Sequence, residues 1–126
     1  MLDLKFFRGK KIFITGHTGF KGSWLTYILY LSGAKIAGYS LKPKYKFDNF
    51  YLLKLENKIE NIFGDVRDEK NLSKKIKKFK PDIIFHLAAQ PLVKDSYLDS
   101  KFTFTTNIIG TLNILEASEN IFYSYK

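Results

Sequence analysis

Three glycines set close together carry the first chemical signal. Residues Thr15 to Gly22 read TGHTGFKG, which places Gly16, Gly19 and Gly22 in a G-x-x-G-x-x-G series. Glycine at the first position permits a tight turn. At the second it lets backbone approach a pyrophosphate, and at the third it lets a following helix pack close to the preceding strand. If a helix starts here, the turn His17, Thr18, Gly19, Phe20, Lys21 and Gly22 offers free N–H groups to an anion. Further along, Asp65 follows a glycine, the run His86-Leu87-Ala88-Ala89-Gln90 follows an apolar stretch, and Asn107 sits in TTNIIGTLNILEA. Read alone, Asp65 is as well explained by a turn or cap role as by a binding one. His86, at a strand end, reads as a packed and hydrogen-bonded histidine, and His17, inside the glycine turn, as structural or close to phosphate. Neither has a companion at metal-ligand spacing.

The elements that must position these residues are legible around them. Lys11 to Thr15 (KIFIT) is a short β-branched run that reads as a buried strand ending at Gly16. From Gly19 to Leu31 the apolar residues Phe20, Trp24, Leu25, Ile28 and Leu29 recur at helical spacing, and Ser32-Gly33 is a stop signal. Lys35 to Ser40 makes a second strand, so the opening is a βαβ unit with the glycines at its first turn. The stretch Leu41 to Lys58 has no clean period and suggests a loop with a short helix at Phe50 to Leu55. Ile59 to Phe63 is a third strand. Asp68 then caps a helix from Glu69 to Phe79, with Leu72, Ile76 and Phe79 inward and five lysines mostly on the other face. After Pro81, Asp82 to Leu87 is a fourth strand, Gln90-Pro91 opens a loop, and a helix runs from about Ser100 to Ala117. Phe104, Ile108, Leu112 and Leu115 share one face of it. Alternating strands and helices mean an α/β fold with a mostly parallel sheet covered on both faces.

Composition narrows the class. At 126 residues there is room for one core but not for a second substrate-binding domain. A hydrophobic fraction of 45% with 17% aromatics excludes a disordered chain. No cysteine is present, which excludes disulfides and thiol nucleophiles, and the start lacks the apolar core of a signal peptide. With no run long enough to span a membrane, the sequence reads as cytoplasmic, with no membrane partner. A formal charge of +9 raises nucleic-acid binding, but the lysines are spread along the chain and only two of the 21 basic residues are arginine, so that reading is set aside.

The gap of two residues between the first glycines resembles the extended short-chain dehydrogenase/reductase family, and so do Gly64-Asp65-Val66-Arg67-Asp68, His86 to Gln90 and Asn107. Within it, GHTGFKGSWL at Gly16 to Leu25, GYSLKP at Gly38 to Pro43 and HLAAQPLV at His86 to Val93 resemble the CDP-glucose 4,6-dehydratase branch, with a match running from Arg8 to about Ser118. Ser100 departs from it by standing where proline is usual. The resemblance implies a Rossmann-like doubly wound parallel sheet, truncated after about four strands in the order 3-2-1-4, with the fourth at an edge. It implies NAD, with Asp65 accepting from the adenine amino group and the Val66 amide meeting a ring nitrogen. Leu87, Ala88, Ala89 and Gln90 would lie along the ribose and nicotinamide, and Asn107 would organise water and backbone beside them. CDP-glucose is the implied substrate, converted to CDP-4-keto-6-deoxyglucose and water, and the intact family forms homo-oligomers.

Two features stay open at this level. The end of the second strand reads Tyr39-Ser40-Leu41-Lys42 rather than carrying the acid that holds NAD ribose hydroxyls, so Lys42 or Lys44 could meet an NADP phosphate; the branch resemblance selects NAD. The Tyr-x-x-x-Lys that the family holds on the helix after a fifth strand is missing as well, since past Glu119 the sequence reads NIFYSYK and Tyr123 and Tyr125 have no lysine four residues on. The residues therefore describe a partial NAD-binding domain over 1–126 with no catalytic residue assigned. The alternatives are a retained binding module without catalysis and a related sugar-nucleotide epimerase or dehydratase.

Overall fold

Each expected strand forms, and each forms beside the neighbour its position implies. The computed structural model describes residues 3–123; Tyr125 lies outside them. Strands β1 (Lys11–Thr15), β2 (Lys35–Ser40), β3 (Glu60–Phe63) and β4 (Ile83–His86) build one sheet in the order β3-β2-β1-β4, with every pair parallel. The third and fourth strands are shorter than the apolar runs that foretold them. Asp82 and Leu87 nevertheless continue the ladder, donating from their amides to the Lys11 and Thr15 carbonyls.

Strand β1 is central and apolar on both sides because both sides are covered. Ile12 and Ile14 pack with Leu25, Leu29 and Ile36 beneath α1 (Phe20–Leu31). Phe13 points the other way, into a cluster with Tyr39, Val66, Leu72, Ile76, Ile114 and Ala117 beneath α3 (Glu69–Phe79) and a later helix. The Asp68 carboxylate caps α3 by accepting from the Asn71 amide, as the sequence implied.

The irregular stretches differ most from expectation. The helix foreseen at Phe50 to Leu55 divides into α2 (Asn49–Leu52) and a single 3-10 turn at Leu55–Asn57, because Lys54 between them is left-handed, at φ 51°. A loop was expected after Gln90, but α4 (Val93–Leu98) occupies it. The long helix begins as α5 (Ser100–Phe104), widens into one π-helical turn over Thr105–Ile109, and continues as α6 (Gly110–Phe122). Ser100 causes no fault at its start, since the Asp99 carboxylate accepts from the Phe102 amide.

Helices α1 and α6 bring small residues close to the sheet and leave several of their large ones exposed. On α1 the buried residues are Gly22, Ser23, Thr26 and Leu29, while Phe20 is 74% exposed. On α6 they are Gly110, Asn113, Ile114 and Ala117. Phe104, Ile108, Leu112 and Leu115 do share a face, but it is the exposed one. The reason is close approach. A Cβ on Gly22 would collide with the Gly16 carbonyl, and one on Gly110 would meet the Val66 side chain at 2.6 Å. Among the described residues no helix is long and apolar enough to cross a membrane.

Candidate functional site

The chain runs outward from β1 to β2 and β3, then returns to place β4 on the other side of β1. That reversal opens a crevice beyond the carboxyl ends of the strands, where ligands of open α/β sheets bind. A cleft of about 200 Å³ lies there, lined from the expected residues by Gly16, Thr18, Gly19, Asp65, Val66, Leu87, Ala88 and Ala89. Three segments far apart in sequence thus meet in one place. Past Leu41, Ala89 and Phe102 the cleft adjoins a second of about 500 Å³, which Gln90 also lines.

The glycine turn has the geometry its spacing implies. Gly16 sits at φ 76°, and a Cβ on it would come within 2.6 Å of the Ala88 amide nitrogen and the Leu87 carbonyl carbon, so the turn and the β4 exit touch backbone to backbone. Gly19 is the N-cap of α1, and a Cβ there would meet only the Gly16 carbonyl oxygen, at 3.4 Å. The middle glycine therefore faces open cleft while Gly22 seals the helix onto the turn. Lys21 and Phe20 are exposed and do not line the cleft.

His17 lies in the turn, but its ring is fully buried beneath it, edge-on to Phe50. Its Nε2 is 2.7 Å from the Asn61 amide oxygen, so Nε2 carries the proton, and Nδ1 has no hydrogen bond of good geometry. Burial, partly offset by Asn61, holds this imidazole below its ordinary pKa. Of the two readings offered for this side chain, the structural one fits.

The β3 exit is pinned from below. The Tyr39 hydroxyl donates to the Asp65 carbonyl at 3.1 Å, and the Asn113 side-chain amide donates to the Val66 carbonyl at 2.9 Å. Asp65 lines both the cleft and the groove beside it, and its carboxylate is paired with Arg67. The hydrogen bonds from Arg67, more than its charge, keep the Asp65 carboxyl below the usual carboxylate range.

The β4 exit is held by a directed relay. Thr111 donates its hydroxyl proton to the Asn107 carbonyl at 2.6 Å, so the 3.1 Å contact from His86 must have Nε2–H donating to Thr111. The other ring nitrogen, Nδ1, then accepts from the Thr15 hydroxyl at 2.6 Å, and Thr15 in turn accepts from the Ala88 amide at 3.3 Å. His86 is thus a neutral strut between β1 and α6, its pKa lowered by burial. Asn107, on the π turn, grips Gln90 twice: its side-chain oxygen accepts from the Gln90 amide at 2.8 Å and its NH2 donates to the Gln90 carbonyl at 3.2 Å. Gln90 closes the loop by donating to the Leu92 carbonyl and the Thr103 hydroxyl. Asn107 shapes the chain without lining the cleft.

Ser40, Leu41, Gly64, Phe102 and Thr106 line the cleft without having been singled out as site residues. Ser40 and Leu41 were noted only for lacking an acid. There the Thr18 hydroxyl donates to the Leu41 carbonyl at 2.9 Å and lies 2.8 Å from the Ser40 hydroxyl. Phe102 and Thr106 are four apart, on the side of their helix opposite the apolar stripe; that spacing was their only signal.

The fold and this cleft define a doubly wound, Rossmann-type nucleotide-binding unit. Residues 13–124 match the family described as GDP-mannose 4,6 dehydratase, and the chain belongs to that family. It is 44% identical over 121 residues to the CDP-glucose 4,6-dehydratase of Salmonella typhimurium, an alignment covering 96% of this chain and 34% of that protein. The UDP-glucose 4-epimerase of Thermotoga maritima, solved with UDP-glucose, superposes with a TM-score of 0.77 at 29% identity, over 89% of this chain and 35% of that one. The Bordetella bronchiseptica enzyme WbmH, solved in complex with NAD+, gives 0.72 at 26% identity, over 90% and 37%. This chain spans about a third of the length of the relatives it matches.

Proposed function

We propose that this chain is the dinucleotide-binding part of a sugar-nucleotide 4,6-dehydratase, that its dinucleotide is NAD, and that the sugar nucleotide handled by the whole protein is CDP-glucose. The observation that carries the reading is the meeting of the open glycine cradle at Gly16 to Gly19 with Asp65 and Val66 along one cleft. Gly19 leaves free the space a phosphate needs. Thr106 supports the same reading: it is 7% exposed, lines the cleft, and its hydroxyl has no partner, so a polar ligand in the cleft would satisfy it.

In this reading the backbone of residues 16–22 binds the pyrophosphate at the start of α1, with Phe20 and Lys21 contributing amides rather than side chains. Asp65 and Val66 hold the adenine, Thr18 and Ser40 offer hydroxyls in place of an acid to the adenosine ribose, and Leu87 to Gln90 lie along the nicotinamide half. Asn107 and His86 hold that last segment in place. NAD supplies hydride acceptance and return when bound. The choice of CDP-glucose rests on the 44% identity to the Salmonella typhimurium enzyme.

Calorimetric titration of the 126-residue chain with NAD tests the reading, and saturable binding is expected. Mixed with CDP-glucose and NAD, the chain alone should give no 4-keto-6-deoxy product, because the family's Tyr-x-x-x-Lys, on the helix after a fifth strand, has no counterpart among these residues to act as base and to position the ribose. Tyr97 and Lys101 have that spacing, but Tyr97 is 85% exposed and neither lines the cleft. Absence of saturable binding, or turnover by this chain, would overturn the assignment.

A further inference from the structure

Arg67 touches the walls of the cleft without lining it. Its Nε donates to both oxygens of Asp65, at 3.1 and 3.0 Å, and its Nη2 donates to Oδ2 at 2.6 Å. Its backbone amide adds a fourth hydrogen bond to Oδ1 at 2.9 Å. The guanidinium plane at the same time lies 4.7 Å from the centre of the Phe102 ring. Asp65 and Phe102 line both the cleft and the neighbouring groove, whereas Arg67 lines only the groove, with Asp68, Asp99 and Lys101. One side chain thus bridges the β3 exit and α5 from outside, gripping one cleft-lining residue of each.

An exposed ion pair is ordinarily a weak contact with no purpose beyond solvation. Two observations separate this one from that case. The backbone beneath it needs no support from Arg67, because Tyr39 and Asn113 already hold the Asp65 and Val66 carbonyls. What Arg67 does fix is the direction of the Asp65 carboxylate, through a fork that only a planar guanidinium can make while also stacking on an aromatic ring. Three N–H groups of Arg67 thus hold the carboxylate, the amide on Oδ1, Nη2 on Oδ2 and Nε shared between them, which fixes its orientation and leaves acceptor capacity for one further donor.

We infer that Arg67 is a positioning residue for base selection: it presents Asp65 as an acceptor to an exocyclic amino group and holds Phe102 as the opposite wall of the base subsite. This rests on the dinucleotide reading above and adds to it the group that sets which base is accepted. A base with an amino group at position 6 donates to the fixed carboxylate. A base with a carbonyl there sets oxygen against oxygen.

The test compares NAD with its hypoxanthine analogue, which carries the 6-oxo group, in the unaltered chain and in the Arg67→Gln, Arg67→Lys and Phe102→Leu variants. The unaltered chain should prefer NAD by about tenfold or more, the worth of a hydrogen bond to a charged group. Arg67→Gln should lose most of that preference while its thermal unfolding stays close to that of the parent, and Arg67→Lys should restore part of it. Phe102→Leu should weaken both ligands alike and leave their ratio unchanged. A parent-like ratio in Arg67→Gln overturns the inference and leaves the dinucleotide reading standing, as does equal affinity of the unaltered chain for the two ligands. Failure of the unaltered chain to bind either ligand overturns the dinucleotide reading itself, and the inference with it.

Discussion

Replacing Gly19 with aspartate should strengthen the fold and damage binding in the same molecule. Gly19 has extended backbone, with φ −72° and ψ 170°, and its carbonyl accepts from the Ser23 amide to close the first turn of α1. That is N-cap geometry, and aspartate is among the preferred N-caps, its carboxylate accepting from amides in the first turn. The nearest contact of a new Cβ is the Gly16 carbonyl oxygen at 3.4 Å, so no backbone need move. A gain of about 0.3–1 kcal/mol from the cap and the helix dipole is expected. For a chain of this size that corresponds to a rise in Tm of about 1–4 °C. The same carboxylate would stand where the cradle is to take a pyrophosphate. Like charges about 4 Å apart repel by about 4 kcal/mol at an effective dielectric of 20, less in an open cleft, so about 2–4 kcal/mol is expected. NAD affinity should therefore fall about 30- to 1000-fold. Calorimetric titration with melting curves on the same samples reads both effects, and added salt should recover part of the loss. Gly22→Ala provides the contrast, because its Cβ would collide with the Gly16 carbonyl and lower the Tm instead. Unchanged NAD affinity in a folded Gly19→Asp chain would refute the cradle, and a lowered Tm would refute the cap.

The remaining expectations concern pH and association. His17 and His86 are both held below the ordinary imidazole pKa by burial, so the unfolded chain takes up protons first as pH falls. Their stabilisation is complete above about pH 6.5 and is lost progressively below it, as pH falls toward the folded-state values. Asp65, depressed by Arg67, adds stability that is lost only below about pH 4; Tm measured from pH 8 to 5 should be level above neutrality and decline below, and a flat profile would contradict the buried, neutral histidines. The 126-residue chain alone should self-associate, since β4 is an open sheet edge and the outward residues Phe104, Ile108, Leu112 and Leu115 are exposed. Size-exclusion elution should shift with concentration, and a single monomer peak at every concentration would refute this.

What was legible in the sequence was whatever local chemistry determines. KIFIT between lysines and glycine is a buried strand by its own pattern, Asp68 is a cap by its position, and the glycine spacing sets the turn. The order β3-β2-β1-β4 followed because a βαβ crossover has one hand, and the fourth strand of this class pairs on the far side of the first. Facing was harder to read. The stripe from Phe104 to Leu115 has ideal helical period, yet the face against the sheet is the one with Gly110 and Ala117, because backbone approach at Val66 decides which side fits. Periodicity identifies a face without saying which neighbour takes it. The same limit explains Arg67 and Thr106, whose roles depend on contacts between segments 35 or more residues apart in sequence, such as Arg67 on Phe102. His17 sits in the glycine turn, but Gly38 leaves room only beneath the loop, and the ring fills that room.

The two halves of the cleft are held by different means. The glycine turn and the Asp65 exit rest on backbone hydrogen bonds, on the close contact of Gly22 with Gly16, and on Tyr39 from below, all within the segment from β1 to α3. Two contacts reach beyond it: Asn113 on Val66, and Gly16 against the Leu87 and Ala88 backbone. The Leu87 to Gln90 segment owes its path to side chains reaching across from α6 and the π turn: Thr111 through His86 to Thr15, and Asn107 onto Gln90. A π turn supports that arrangement, since its extra residue rotates Asn107 relative to Gly110 and lets one helix present a glycine to Val66 and an amide to Gln90. Local opening of α6, whose outer face is exposed, would therefore release the Leu87 to Gln90 segment while leaving the glycine turn and its α1 N-terminus intact. In a full-length relative the half that must be ordered by the rest of the chain is thus the half where the nicotinamide would lie, and the half that can form early is the one that would hold the adenosine and pyrophosphate.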